Sequence, residues 1–306
     1  MRKSFKYILS VALLATCFSS FGQQDPQFTQ YMYNTMAVNP GYTGSRGHLS
    51  IIGLHRSQWV GLDGAPRTQS LGIHSPVGNN VGLGLSVVHD ELGPATETFI
   101  DGNFSYTLKF ENNRRLSFGV KGGLRNLNVD FSKGTIQEGN DILFQNNINN
   151  RFLGTIGAGF YYHTNKWYVG LAVPNFLTTR QYDDLEEAIA IERLHYFAIA
   201  GYVFDLNENL KFKPSAYFKA VPGAPVIFDV SGNFLINEKF TAGLAYRWDD
   251  SVSGLLGFQI SEQLNIGYAF DYTTTELTNY NNGTHEIFLR FDLITREKKL
   301  KSPRFF

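Results

Sequence analysis

Between Leu210 and Ala220 the residues alternate. Leu210, Phe212, Pro214, Ala216, Phe218 and Ala220 take one parity, and Lys211, Lys213, Ser215, Tyr217 and Lys219 take the other. Neighbouring side chains of a strand point to opposite faces, so a period of two predicts a β-strand with one oily and one polar side. Phe240 to Trp248 and Leu264 to Tyr272 repeat the pattern, as do stretches 104–110, 116–124, 152–162, 167–173 and 287–293. About fourteen such segments of roughly ten residues follow one another, beginning near residues 49, 68, 81, 98, 115, 151, 166, 194, 210, 226, 239, 253, 264 and 284. Strands of soluble sandwiches are usually nearer five or six residues. Ten residues tilted by ~45° cover about 23 Å, close to the apolar band of an outer-membrane barrel. The expected fold class is therefore all-β, a transmembrane antiparallel β-barrel over residues 49–293 with lipid against the apolar parity.

Composition agrees with strands and excludes other classes. Phe 26, Tyr 16 and Gly 30 in 306 residues, with only 18% charged residues, disfavour disorder and long surface helices. After residue 22 no run approaches the ~18 apolar residues of a spanning helix. The 27 basic residues balance the 27 acidic ones, so no nucleic-acid partner is expected.

A bilayer offers no partner to backbone N–H and C=O groups, and a sheet survives there only when closed upon itself. The connections separate into two alternating sets. Stretches 76–79, 111–113, 163–165, 205–209, 236–238 and 261–263 are tight turns, whereas 57–66, 89–97, 127–150, 174–193, 221–225, 249–252 and 273–283 form the longer set. Short periplasmic turns and longer extracellular loops are the pattern of such barrels, and a periplasmic N-terminus places the long set outside. The polar parity, with Lys109, Arg115, Lys121, Arg125, Lys211, Lys213, Lys219, Asp229, Arg247, Asp271, Glu286, Arg290 and Asp292, then faces the lumen. A barrel of this width holds either a channel or a plug.

The first 22 residues read as an export signal: Arg2, Lys3 and Lys6 precede an apolar stretch 7–18, and Ser20-Phe21-Gly22 offers a cleavage site before Gln23. A lipobox reading of Leu14-Ala15-Thr16-Cys17 is the alternative, although Thr16 is larger than the residue such a site takes. Cys17 is the one cysteine, so neither an intrachain disulfide nor a cysteine metal site is expected in the mature chain. Residues 23–48 form an N-terminal periplasmic segment, too polar for a lipid strand. Phe28, Tyr31, Met32 and Met36 predict a short amphipathic helix from about Pro26 to Asn39-Pro40-Gly41, packed on the mouth or inside the lumen. Residues 294–306 form a basic periplasmic tail with Arg296, Lys298, Lys299, Lys301 and Arg304 against Glu297.

Motifs for chemistry are scarce. The histidines at 48, 55, 74, 89, 163, 195 and 285 show no H-E-x-x-H spacing. Gly82, Gly84, Gly157 and Gly159 complete no G-x-G-x-x-G and read as strand glycines that relieve crowding. The cluster Asp183, Asp184, Glu186 and Glu187 lacks the spacing of a calcium loop and reads as a solvated loop. Asn282-Gly283-Thr284 has the form of a glycosylation acceptor, but Asn-Gly between strands reads as a turn. No catalytic, cofactor-binding or metal residue is expected.

The ends and the first loop carry a resemblance. Asp25-Pro26-Gln27-Phe28, Gln30-Tyr31-Met32, Asn39-Pro40-Gly41-Tyr42-Thr43-Gly44, Arg56, Gln58-Trp59-Val60-Gly61, Gly64-Ala65-Pro66, Gly82-Leu83-Gly84, Asp90, Gly93-Pro94 and Ser302-Pro303-Arg304-Phe305-Phe306 resemble the PorP/SprF family of outer-membrane proteins from the type IX secretion and gliding machinery. The family's N-P-A-Y-A-G is here Asn-Pro-Gly-Tyr-Thr-Gly. The resemblance implies a non-enzymatic outer-membrane component, exported by a Sec-type route. It would help secrete or anchor a cell-surface adhesin through that adhesin's C-terminal domain, and would meet periplasmic and lipoprotein components of the machinery. Partner-binding residues implied are Asp25, Pro26, Gln30, Tyr31, Asn39, Pro40, Arg56, Gln58, Trp59, Gly64, Pro66, Pro303, Arg304 and Phe306. A passive porin or solute channel is the alternative, separable by conductance, and a surface enzyme on a barrel is a third class for which no Ser or His motif speaks.

Overall fold

The alternating segments pair edge to edge until no edge is left. The computed structural model describes residues 26–133, 147–177 and 193–294. Its strands are β1 Leu49–Ser57, β2 Arg67–Val77, β3 Val81–Leu92, β4 Ala95–Lys109, β5 Arg115–Val129, β6 Ile148–His163, β7 Trp167–Val173, β8 Tyr196–Tyr202, β9 Phe204–Asn207, β10 Leu210–Ala220, β11 Ile227–Ile236, β12 Phe240–Arg247, β13 Ser251–Gln259, β14 Leu264–Thr273 and β15 Thr284–Leu293. Apart from β8 and β9, sequence neighbours pair antiparallel, and β15 pairs with β1, for example Leu49 opposite Leu293. β8 and β9 are two pieces of one wall strand broken at Val203, since both pair with β10. The wall is a closed antiparallel barrel of fourteen strands.

The two parities separate as expected. On β10, Lys213, Ser215, Tyr217 and Lys219 are buried inside while Phe218 is exposed outside. Leu71, Leu85, Ile100, Val120, Ile156, Leu171, Leu256 and Leu289 are likewise exposed on the outer face. Oily residues lose no free energy there because hydrocarbon is their solvent.

At the end of the barrel where β1 starts and β15 finishes, the connections are tight. Asn112-Asn113 and Asn237-Glu238 take positive φ in pairs (59° and 57°, 52° and 55°), the geometry of hairpin turns that match strand twist. At the opposite end lie residues 58–66, 221–226 and 274–283. The expectation of a long connection over 89–97 is corrected: β3 and β4 remain paired to Leu92 opposite Ala95, leaving only Gly93-Pro94 as the turn. Polar residues on both faces of these rungs, such as Asp90, Glu91, Thr96 and Glu97, imitate a loop because the strands continue beyond the apolar band. For the same reason β5 and β6 extend to Val129 and from Ile148, β9 reaches Asn207 within the expected turn 205–209, and the turn near 249–252 shrinks to residues 248–250.

Residues 28–43 lie inside the barrel. Of the two places open to this segment the structure shows the lumen, and the expected helix is corrected to one turn, Thr35–Val38, followed by a 3-10 turn, Pro40–Tyr42. Both flanks of the segment are held by wall groups that take its backbone hydrogen bonds, which removes the need for a continuous helix. The apolar cluster at the heart of the molecule is formed by Phe28, Tyr31, Met32, Tyr33 and Met36 against Ile52, Leu54, Phe197, Ile199 and Phe288.

Candidate functional site

Arg56 organises the half of the lumen nearer loops 58–66 and 274–283. It stands near the end of β1, only 1% exposed, and an ion so placed requires partners. Its guanidinium donates to Glu286 Oε2 on β15 at 3.0 Å, to Asp271 Oδ2 on β14 at 2.9 Å and to the Thr29 hydroxyl of the inner segment at 2.8 Å. Both carboxylates then grip the same segment. The Thr29 and Gln30 backbone N–H groups donate to Glu286 at 2.9 and 2.7 Å, and the Thr29 hydroxyl donates to Asp271 at 2.7 Å. Charge-assisted bonds of this kind are short and about twice as strong as neutral ones. Arg247 and Asp229 extend the set on β12 and β11 at 3.2 Å.

Further down, rings and glycines replace ions. Tyr31 packs on Tyr217 and Tyr33 on Phe288, with centroids 4.9 and 4.1 Å apart. Lys213 lies over Tyr168 and Arg290 over Tyr33, cation–π contacts that suit charges withdrawn from water. The Asn39-Pro40-Gly41-Tyr42 turn presses directly on the wall. Asn39 caps it by accepting the Gly41 N–H at 2.9 Å and donates from Nδ2 to the Phe160 carbonyl of β6 at 2.9 Å. A Cβ at Gly119 would fall 2.1 Å from the Gly41 nitrogen, and one at Gly82 would fall 2.3 Å from the Thr43 oxygen. The wall has glycine where the segment's backbone touches it.

The segment leaves by the terminal end. Gly44 N–H donates to His74 Nδ1 at 3.1 Å, Ser105 donates to the Thr43 carbonyl at 2.7 Å, and Arg46 makes an ion pair with Asp292 at 2.8 Å. Because Thr29 sits beside Arg56 and Arg46 beside Asp292, residues 28–46 run the length of the lumen, and β1 then runs back up the wall.

The opposite end carries a crown of joined loops. Trp59 is half-buried with φ of 45°, a conformation costly for a bulky residue. Its N–H donates to the Thr284 hydroxyl at 3.1 Å, while Val60 exchanges backbone hydrogen bonds with Gly283 and Asn282 at 2.9 and 2.7 Å. The Gly64 carbonyl accepts the Gly93 N–H at 2.9 Å, and Pro66 accepts from Gln58 at 2.9 Å. In the next loop the Ser132 hydroxyl donates to Asp130 at 2.6 Å and holds that carboxyl below the usual carboxylate range.

The residues singled out in the sequence thus divide. Gln30, Tyr31, Asn39, Pro40 and Arg56 meet inside the lumen, with Pro26 half-buried above them. Gln58, Trp59, Gly64 and Pro66 belong to the crown. Asp25, Pro303, Arg304 and Phe306 lie outside the described residues, as do residues 1–22 and the acidic cluster at 183–187. Sequence reasoning put Asp271 and Glu286 in the lumen without giving them a task. Thr29 went unmarked, and nothing in its neighbourhood sets one threonine apart from the others. Among the described residues no three His, Cys, Asp or Glu side chains converge as a metal site.

Residues 20–291 match the family of type IX secretion system membrane proteins PorP/SprF. No curated protein sequence matches the chain. Solved structures similar to it include a Pseudomonas aeruginosa FadL homologue (13% identity, 92% of this chain and 97% of that one, TM-score 0.47), the Acinetobacter baumannii outer membrane protein Omp33 (10%, 81% and 99%, 0.45) and the Ralstonia pickettii toluene transporter TbuX (10%, 84% and 92%, 0.47).

Proposed function

Because this chain belongs to the PorP/SprF family of type IX secretion system membrane proteins, we propose that it is a sealed outer-membrane anchor for a secreted adhesin rather than a conduit. The observation that carries this reading is the occupied lumen: residues 28–43 fill it and are held by Arg56, Asp271 and Glu286. A lumen occupied in this way disfavours passage of a polypeptide and, with it, the porin alternative. The crown loop 58–66, together with stretches 127–150 and 174–193, would hold the adhesin's C-terminal domain on the cell surface, with half-buried Trp59 as a preformed anchor point. The basic tail with Pro303, Arg304 and Phe306 would meet periplasmic and lipoprotein parts of the machinery. No step of this work requires catalysis.

Two measurements on the full chain test the reading. Purified protein in planar bilayers is expected to stay closed, and an affinity pull-down from outer-membrane extract is expected to recover one large secreted protein with periplasmic lipoproteins. Steady open currents together with recovery of neither class would overturn it. Deleting residues 298–306 is expected to lose the periplasmic partners and keep the adhesin.

A further inference from the structure

On the outer wall two cavities meet. The first, about 600 Å³, is an apolar groove over β14, β15 and β1–β3, lined by Leu71, Val87, Ile266, Ile287 and Leu289. Its floor is Gly53, where an added Cβ would meet nothing within 4 Å. Gly53 stands between Leu289 and Leu71 in the sheet, both exposed on the lipid-facing parity. Directly along β1 towards the crown is the second cavity, about 630 Å³, beneath loop 58–66. Its lining is mixed, with Asp63, Arg67 and Glu91 beside Val60, Leu62 and Ala65. His55 and Gln69, opposite each other on β1 and β2, line both cavities. Each volume falls within the roughly 300–1,000 Å³ of small-molecule sites.

A dry trough at membrane depth joined to a wet pocket at the rim fits one amphiphile lying along the strand, its chain in the trough and its head under the loop. The head group follows from the charges. Asp63 and Glu91 set two carboxylates against the Arg67 guanidinium, with the His89 imidazole 3.5 Å from Glu91, so a phosphate gains no net attraction there. A hydroxyl-rich head suits the mixture, since carboxylates accept from hydroxyls while Arg67 and Gln69 donate to them. We propose that this double cavity binds a single membrane lipid with an uncharged saccharide head, its acyl chain seated over Gly53. The site is separate from the lumen and does not depend on the adhesin reading.

The test uses full-length protein purified in an amine-oxide detergent and native mass spectrometry with added lipid. Diglucosyl diacylglycerol is expected to remain bound one per barrel, with roughly tenfold preference over phosphatidylethanolamine and phosphatidylglycerol. Gly53→Leu fills the trough from the lipid side and is expected to remove that preference while the barrel keeps its folded, heat-modifiable migration. The double variant Asp63→Asn with Glu91→Gln leaves the trough open and is expected to raise phosphatidylglycerol retention relative to the glycolipid. Equal retention of all three lipids, preference for either phospholipid, or Gly53→Leu binding like the wild type would each overturn the proposal.

Discussion

Asp271 and Tyr272 are neighbours on β14 and occupy opposite worlds. Asp271 is 3% exposed and holds Arg56 and Thr29, whereas Tyr272 is 58% exposed on the outer wall. The same inversion runs around the barrel: the polar face is the buried one, and the oily face lies open. The inner face has its own solvent, a strip of chain that supplies hydroxyls, amides and rings to wall ions. The outer face relies on lipid. One alternation of sequence therefore serves two stabilising media, and each can be broken without touching the other.

The largest effect is expected inside. Arg56→Ala would leave the Asp271 and Glu286 carboxylates buried without their cation, a loss of about 3–5 kcal/mol for breaking such a set. The wall keeps its own ladder of backbone bonds, so the damage should fall on residues 28–33. Planar-bilayer recordings are expected to change from closed to conducting, and chymotrypsin should begin to cut at Tyr31 or Tyr33 in folded barrels. A variant that remains closed and uncut would show that the ions are spectators to packing.

A smaller effect is expected outside. Val120 lies near the middle of β5 and faces outwards, where a buried arginine costs about 2–4 kcal/mol at the bilayer midplane. Val120→Arg should lower the urea midpoint for refolding into vesicles while leaving the lumen closed. An unchanged midpoint would mean that lipid does not cover that face.

This contrast also explains what could be read in the chain before its structure. The outer face was legible because lipid imposes one rule at every rung, so Leu85, Val120 and Leu289 each report it independently. Strand ends were less so, because Thr96 and Glu97 stand on rungs above the lipid where polarity no longer tells wall from loop. The filled lumen was hardest. Its partners lie far apart in the chain, by 215 residues for Arg56 with Asp271 and 257 for Thr29 with Glu286, and no local period encodes such pairs. One signal was present: Gly82, Gly84, Gly119 and Gly159 all fall on the inward parity, and a wall that omits side chains towards its lumen makes room for something else. Of these, Gly82, Gly84 and Gly159 read in the sequence as relief of crowding, and the chain they make room for is residues 36–43.

The smallest expected effect tells whether that inner chain acts as one body. Asn39→Ala removes the cap on the Gly41 N–H and the bond to the Phe160 carbonyl, together about 1–2 kcal/mol. The Pro40–Tyr42 turn should loosen, detectable as faster chymotrypsin cleavage after Tyr42. Thr29 and Gln30 would still be gripped by Glu286, far along the lumen, so bilayer recordings should remain closed. Effects of sites with no shared partners add independently, and the double variant with Arg56→Ala should then conduct no more than Arg56→Ala alone. Conductance from Asn39→Ala by itself would show instead that the segment leaves the lumen as a unit, with the ionic end and the glycine-backed end released together.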